Sequence, residues 1–122
     1  MGQRTYSDVQ EDKTLLAWEV ERLWELTKDY PRKHVPLSAI SDFDLVCWFD
    51  GKDYLPTCRA VTVHARKIME AEFIHPVILS AQGHVMNGMH RVAKAWLLGH
   101  ETVEAVQFDV DPEPDERLKA EG

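Results

Sequence analysis

This sequence has no surplus of basic residues: 14 lysines and arginines stand against 21 aspartates and glutamates, which gives a formal net charge of −7. Proteins bind DNA largely by neutralising its backbone phosphates with lysine and arginine. An acidic chain has little capacity to bind a duplex over its whole surface. Direct nucleic-acid binding is therefore not expected, although a local basic patch stays open as an alternative.

The sequence is also poor in cysteine and lacks long apolar runs. Its two cysteines, Cys47 and Cys58, are eleven positions apart and form no CxxC or paired metal spacing. We expect reduced thiols, with a disulfide as the open alternative. No stretch reaches the roughly 18 apolar residues of a membrane span, and the first residues lack the apolar core of a signal peptide. The sequence thus predicts a cytoplasmic protein without a membrane segment.

What the sequence does contain is enough apolar material for one ordinary domain. Hydrophobic residues make up 44% of its 122 positions, and four tryptophans and four phenylalanines supply large core side chains. A chain of this length typically folds as a single domain. We take residues 33–110 as the core and expect residues 1–11 and 111–122 to be flexible, because both ends are polar or interrupted by proline.

Residues 12–30 are predicted to form an N-terminal helix. Leu16, Val20, Leu23 and Trp24 recur at the spacing of one buried helical face, and a proline follows the pattern. Further apolar residues widen this face. The wide face predicts packing inside the domain, with a homodimer formed through this helix as the alternative.

The other elements follow from periodicity and turn residues. In chain order they are an edge strand at 34–37, a long loop at 38–57, a helix at 57–72, a hairpin at 76–86, a helix at 87–98 and a strand at 101–110. The predicted buried faces are Val61, Ala65, Ile68 and Met69 on the second helix, and Met89, Val92, Ala93, Trp96 and Leu97 on the third. This order predicts an α+β domain, with helices packed on a mixed sheet of short strands and an extra N-terminal helix.

The segment from Asn87 to Arg91 has the chemistry of a phosphate site. A strand is predicted to end at Met86 and a helix to begin at Asn87 or Gly88, so the first helical amides offer partial positive charge. Asparagine is a favoured capping residue, and a glycine lets an anion approach the backbone closely. Arg91 adds a forked cationic donor, and His90 adds a donor that titrates near neutral pH. From the residues alone, a tight turn with a satisfied histidine and a solvated arginine is the more common interpretation, and the phosphate site is the alternative.

This segment and its flanks resemble the second half of the ParB/sulfiredoxin-like superfamily. The matching features are Pro76-Val77-Ile78-Leu79, Gly83, Asn87-Gly88-Met89-His90-Arg91, Ala93, Ala95, Gly99 and Thr102-Val103-Glu104-Ala105-Val106. A fainter likeness covers residues 34–40, so the resemblance spans residues 33–110. It implies the ParB-like fold.

The resemblance also implies nucleotide binding, since this segment holds the triphosphate of CTP in ParB proteins and ATP phosphate in sulfiredoxin. Carried over, Asn87 would cap the helix, and the site would run through Gly88, Met89, His90 and Arg91. In the family the helix after the long loop adds contacts, for which Arg59, Thr62 and Lys67 are the candidates. The ligand would be CTP or ATP, and Mg²⁺ could accompany it.

Two departures limit what the resemblance implies. Met89 stands where sulfiredoxin has its nucleophilic cysteine, and a thioether cannot form a thiolate. Sulfinic acid reduction is therefore not expected. ParB proteins also carry a helix-turn-helix domain after the nucleotide domain, whereas this sequence ends about a dozen residues past its last predicted strand. The sequence thus predicts a stand-alone domain.

The leading hypothesis is a nucleotide-binding domain that acts as a ligand-dependent switch or as a small phosphotransferase or hydrolase. Glu70, Glu72 and Asp53 are candidate catalytic carboxylates by type, and whether the chain is an enzyme stays open. A non-enzymatic module with the same fold, binding a protein or DNA partner, is the alternative; a nuclease lacks a recognisable acidic cluster. No resident metal is expected, because no HExxH or Cys/His cluster is present.

Three further residues have a functional and an ordinary interpretation. Asp50 and Asp53 could hold Mg²⁺ beside a triphosphate, but a solvated turn is their ordinary role. His64 could lie near the phosphate site, but a position on the helix surface or in the core is the more common one for such a histidine.

Overall fold

The computed structural model describes residues 5–9 and 14–119, which form three α-helices and two β-sheets. The strands are β1 (Thr5–Val9), β2 (Thr14–Glu19), β3 (Lys33–Pro36), β4 (Val77–Leu79), β5 (Val85–Asn87), β6 (Thr102–Gln107) and β7 (Glu116–Lys119). The helices are α1 (Val20–Thr27), α2 (Cys58–Glu70) and α3 (Met89–Leu97), and two 3₁₀ turns, Leu37–Ala39 and Ser41–Asp44, follow β3. The predicted α+β class is confirmed.

The larger sheet has the strand order β3-β6-β4-β5 and is mixed. Strand β4 runs parallel to β6, with Val77 opposite Ala105, while the β3–β6 and β4–β5 pairs are antiparallel. Strand β3 lies at the sheet edge, where the missing amide hydrogen of Pro36 is tolerated. The predicted edge strand, hairpin and closing strand are all present in this sheet.

Both faces of this sheet are buried, which explains the unbroken apolar sequence of β4. Because side chains alternate along a strand, Val77 and Leu79 point to one face and Ile78 to the other. Val77 and Leu79 join a core cluster with Val92 of α3. Ile78 joins a second cluster with Leu23 of α1. The helix that opens at the phosphate motif and the helix near the N-terminus therefore lie on opposite faces.

The predicted N-terminal helix at 12–30 is wrong over its first part, because residues 14–19 form strand β2. This strand is the centre of an antiparallel sheet with the order β1-β2-β7. The amide of Glu19 donates to Oδ2 of Asp115 (2.8 Å), and the indole of Trp18 donates to the carbonyl of Pro112 (2.8 Å). These partners come from the far end of the chain, so a local helical pattern could not reveal them.

The two chain ends also differ from the flexible segments that were predicted. Residues 5–9 and 116–119 are edge strands of the smaller sheet. Residues 1–4, 10–13 and 120–122 lie outside the described residues, as does the predicted start of the helix at residue 12. Most of the apolar stripe packs inside the domain, as predicted, since Trp18, Val20 and Leu23 are all buried.

Two of the predicted buried faces are displaced. On α2 the buried residues are Ala60 and His64, whereas Val61 and Met69 are exposed. The predicted face was built from apolar residues alone and left His64 out, so it lies one position along the helix from the buried one. On α3, Val92 and Ala93 are buried as predicted. In the last turn of α3, Trp96 and Leu97 are exposed, contrary to prediction.

The sequence led us to expect no membrane segment and two reduced cysteines, and the described residues can be compared with both expectations. The longest helix, α2, has 13 residues, and no helix in the described part of the chain is long and apolar enough to cross a bilayer. Cys47 and Cys58 are exposed free thiols. The alternative of a disulfide between them is therefore not adopted in this structure.

Candidate functional site

The opening of α3 lines a cleft of about 790 Å³, which we call the first cleft. Asn87, Gly88, His90 and Arg91 border it, and α2 adds Lys67. A volume of this size falls within the range of small-molecule sites. The structure thus gathers most of the sequence-predicted site residues around one concave surface.

Gly88 shapes this opening and is the residue that precedes the first turn of α3. Its φ of +112° and ψ of 17° lie in the left-handed region of backbone conformation, which glycine adopts without steric cost. The first helical hydrogen bonds run from the amides of Arg91 (2.9 Å) and Val92 (3.1 Å) to the carbonyl of Gly88. The amides of the first turn that precede them have no acceptor inside the helix. The predicted capping role of Asn87 is wrong, because Gly88 occupies the cap position.

Asn87 and Arg91 instead hold each other beside the cleft. The Asn87 Oδ1 atom accepts from the indole Nε1 of Trp24 and from the Arg91 Nη2 atom, both at 3.2 Å. The Arg91 Nη1 atom donates to the carbonyl of Pro76 at 2.8 Å. These bonds fix the guanidinium next to Gly88, where its permanent charge acts on the cleft. Arg91 is therefore a positioned, half-buried cation and not a solvated surface residue.

His90 is bonded to a second histidine, His64 of α2. The His64 Nδ1 and His90 Nε2 atoms are 2.9 Å apart, and the two ring planes differ by 11°. The hydroxyl of Tyr54 lies 3.4 Å from the other ring nitrogen of His64. The indole of Trp48 stacks on both imidazoles, with centroid distances of 4.8 Å to His64 and 4.5 Å to His90. The long loop is thus anchored on the histidine pair.

The histidine pair is neutral at physiological pH. Burial lowers the pKa of His90 to about 4, and electrostatic repulsion from His64, Lys67 and Arg91 acts in the same direction. Burial also lowers the pKa of His64, and the charge of Lys67 acts in the same direction. One hydrogen therefore bridges the two rings at pH 7, and each ring is uncharged. His90 can donate or accept a hydrogen bond at the cleft but does not supply a positive charge there.

The charges around the first cleft are mixed. Lys67 and Arg91 are cationic, while Glu70 and Glu72 come from the end of α2 and the segment after it. The Nζ atom of Lys94 donates to the carbonyls of Met69 (2.9 Å) and Ala71 (2.6 Å) and so holds this segment in place. The cleft therefore combines anion-attracting groups with two carboxylates that can bind a cation.

Some predicted residues lie elsewhere. Arg59 and Thr62 are exposed on α2 and do not line the first cleft; the Thr62 hydroxyl donates to the carbonyl of Cys58 at 2.7 Å. Met89 packs against the core cluster that contains Val92.

The candidate Mg²⁺ ligand Asp50 is occupied within its own loop. Its carboxylate accepts hydrogen bonds from three backbone amides, which lowers its pKa. In residues 5–9 and 14–119, no group of three or more His, Cys, Asp or Glu side chains is placed to hold a metal.

A second cleft, of about 710 Å³, lies beside the first. The two clefts share Thr5, Met86, Asn87, Gly88 and His90. The second cleft adds residues of the long loop, Trp48 and Cys47 among them, and the neighbouring strand β1. The opening of α3 is therefore the point where two concave surfaces meet.

Sequence reasoning missed two aromatic contributors to the site, Trp48 and Trp24, whereas it named His64 as a residue that could lie near the phosphate site. His64 was judged more common on a helix surface or in the core, and it is both buried and bonded to His90. The available signal was that His64 follows Ala60 by four residues, because residues four apart on a helix share one face. Trp48 was placed only within the predicted long loop at 38–57, and Trp24 only on the buried face of the predicted N-terminal helix. No local pattern connects these side chains, because they lie on separate elements.

No known protein family, no curated protein and no solved structure matches this chain. The likeness of residues 33–110 to the ParB/sulfiredoxin-like superfamily therefore stays a prediction from the sequence. Any functional conclusion depends on the geometry of the two clefts and on the chemistry of the residues that line them.

Proposed function

We propose that this chain is a ParB-like nucleotide-binding domain whose first cleft holds the phosphate groups of CTP or ATP. One observation carries the proposal: the glycine-opened start of α3 and the cations Lys67 and Arg91 face the same cleft. In this role the domain acts as a nucleotide-dependent switch or as a small phosphotransferase or hydrolase.

The physical basis is the convergence of several weak attractions on one anion. The amides at the start of a helix point outward and carry a partial positive charge. The space that a Cβ of Gly88 would take is filled by Nη1 of Arg91 and by Val77, so the glycine lets the guanidinium lie against the start of α3. Arg91 supplies a fixed charge, Lys67 supplies an exposed ammonium, and neutral His90 can donate a hydrogen bond from Nδ1 when its Nε2 accepts from His64. Each contributes modestly, but all act on the same phosphate oxygens.

The carboxylates of Glu70 and Glu72 repel a bare phosphate, so they favour a ligand that arrives with Mg²⁺. Proteins typically bind Mg²⁺ through one or two carboxylates together with substrate phosphates. The two glutamates fit that donor set. If phosphoryl transfer takes place, the same residues are the candidates for the general base. Asp50 and Asp53 do not line this cleft.

The proposed function also extends to the cellular location of the protein and to its binding partners. Two exposed free thiols suit a reducing compartment, so a cytoplasmic location belongs to the proposal. The negative net charge of −7 makes direct binding to nucleic acid unfavourable. A homodimer through α1 would use Leu26, which is exposed on this helix.

Isothermal titration calorimetry with CTP, ATP and ADP in the presence of Mg²⁺ tests the proposal. The variant Lys67→Met removes a cleft cation, and we expect roughly tenfold weaker binding, because hydrogen bonds to charged groups contribute about 1.5–3 kcal/mol. Arg59→Met is the matched control, since it removes a cation from the same helix outside the first cleft. Absence of binding by the wild type, or equal effects of the two variants, would overturn the proposal.

A non-enzymatic interaction module is the second candidate, and a separate surface favours it. Trp96, Leu97 and Leu98 end α3 and are 61%, 63% and 57% exposed. Consecutive exposed apolar residues of this size often mark a contact with a partner. Sedimentation of the wild type and of Leu97→Glu, each with and without nucleotide, distinguishes the candidates. Self-association that Leu97→Glu abolishes, together with no nucleotide binding, would favour the module.

A further inference from the structure

Trp48 has one aromatic face covered by the histidine pair. Its ring is parallel to His90 within 4° and to His64 within 10°. The two imidazole centroids are only 5.2 Å apart. Rings on opposite faces of an indole would be separated by about 7 Å or more, twice the roughly 3.5 Å contact distance. Both imidazoles therefore lie on the same face of Trp48.

With one face covered by the imidazoles, Trp48 can meet the second cleft only through its other face or its ring edge. Trp48 is only half-buried and lines that cleft. The second cleft joins the first at Gly88 and His90. One extended ligand can therefore place an anionic end against the start of α3 and an aromatic end against the indole.

We propose that the exposed face of Trp48 is a stacking platform for the nucleobase of a ligand whose phosphates occupy the first cleft. This inference rests on the proposed function and adds the place where the base binds. Base–aromatic stacking depends on a π-face and tolerates different bases. The indole already stacks on His64 and His90, so binding a ligand on it should cost little further side-chain entropy.

The polar groups near the platform suit the hydrogen-bonding edges of a nucleoside. Ser7 and Asp8 of β1 line the second cleft, as does Asp42. The Asp42 carboxylate is held by His84 Nδ1 at 3.0 Å and by the amide of Val85 at 2.8 Å. Carboxylates accept hydrogen bonds from amino groups and hydroxyls. A nucleoside therefore suits this cleft better than a second anionic group would.

Comparing a nucleotide with inorganic tripolyphosphate tests the inference. Both ligands, with Mg²⁺, can occupy the first cleft, but only the nucleotide can use the platform. We expect Trp48→Leu to weaken ATP binding roughly 5- to 100-fold, the range for losing one base–aromatic stack. Binding of tripolyphosphate should change less than twofold. Trp48→Tyr keeps an aromatic face and should retain most of the ATP affinity.

Two controls and the pattern of binding distinguish a failure of the stacking platform from a failure of the proposed function. Trp96→Leu removes an exposed tryptophan that lines neither cleft and should leave both affinities unchanged. Circular dichroism of each variant verifies that the fold is retained. If the wild type binds neither ligand, the proposed function fails. If it binds tripolyphosphate and ATP equally, or if Trp48→Leu weakens both alike, the phosphate site stands and the stacking platform is rejected.

Discussion

Gly88 is the residue at which a single added methyl group tests the geometry of the site most directly. Replacing it with alanine adds a Cβ atom at a φ of +112°. That atom would lie 2.9 Å from Nη1 of Arg91 and 3.2 Å from the Cα atom of Val77. The arginine end can shift, but the backbone of the central strand β4 cannot move without disturbing its pairing. The substitution therefore combines backbone strain with a steric conflict.

The two contributions can be estimated separately. Holding a non-glycine residue in a left-handed conformation costs about 1–2 kcal/mol. Forcing one methyl group into a packed environment typically adds about 1–3 kcal/mol. We expect Gly88→Ala to lower the free energy of unfolding by about 2–5 kcal/mol in total. For a domain of this size, each kcal/mol lowers the Tm by roughly 3–6 °C.

Two other glycines serve as matched controls. Gly83 has a φ of +90° but nothing within 4 Å of the added Cβ, so Gly83→Ala isolates the backbone strain. Gly51 lacks both a positive φ and a neighbour. Gly51→Ala should be neutral, or stabilising by about 0.4–1 kcal/mol because the unfolded chain loses freedom. Urea denaturation of the three variants measures all three values.

The order of stability among the three variants tests whether Gly88 lies as close to Val77 as the structure shows. We expect Gly88→Ala to be the least stable, Gly83→Ala intermediate and Gly51→Ala the most stable. A Gly88→Ala protein no less stable than Gly83→Ala would show that the close approach to Val77 is absent. In that case the start of α3 would not have the geometry on which the phosphate site depends.

Two further predictions concern the histidine pair and the start of α2. Because the pKa of His90 lies near 4 in the folded protein and near 6.5 in an unfolded chain, the unfolded state binds more protons between these values. The stability that neutral His90 provides is therefore complete above pH 6.5 and is lost as the pH falls toward 4. Urea melts from pH 7.5 to 4.5 should show a steeper decline for the wild type than for His90→Gln, and parallel curves would contradict the buried pair. The Thr57 hydroxyl accepts from the amide of Ala60 at 3.1 Å and caps α2. Thr57→Ala should cost about 1 kcal/mol and Thr57→Ser much less; equal losses in thermal melts would exclude the cap.

Parts of the fold could be predicted from the sequence because their signals are local. The apolar run of β4, the Gln82-Gly83 turn and Gly99 after α3 each specify a boundary within a few residues. The same holds for Asn87 to Arg91, whose residue types indicate a strand-to-helix junction. The prediction failed at residues 14–19, where Leu15, Leu16 and Trp18 satisfy a helical spacing as well as a strand. Pairing with β1 and β7 decides between these structures.

By itself, the sequence determined the chemistry available at the start of α3, since the identity and spacing of Gly88, His90 and Arg91 do not depend on the rest of the chain. Only the tertiary structure decided what surrounds that start. It brought Lys67 to the same cleft, bonded His64 to His90, and stacked Trp48 on both. The physical reason is that these contacts join elements far apart in the chain, and their free energy arises only when the elements pack together.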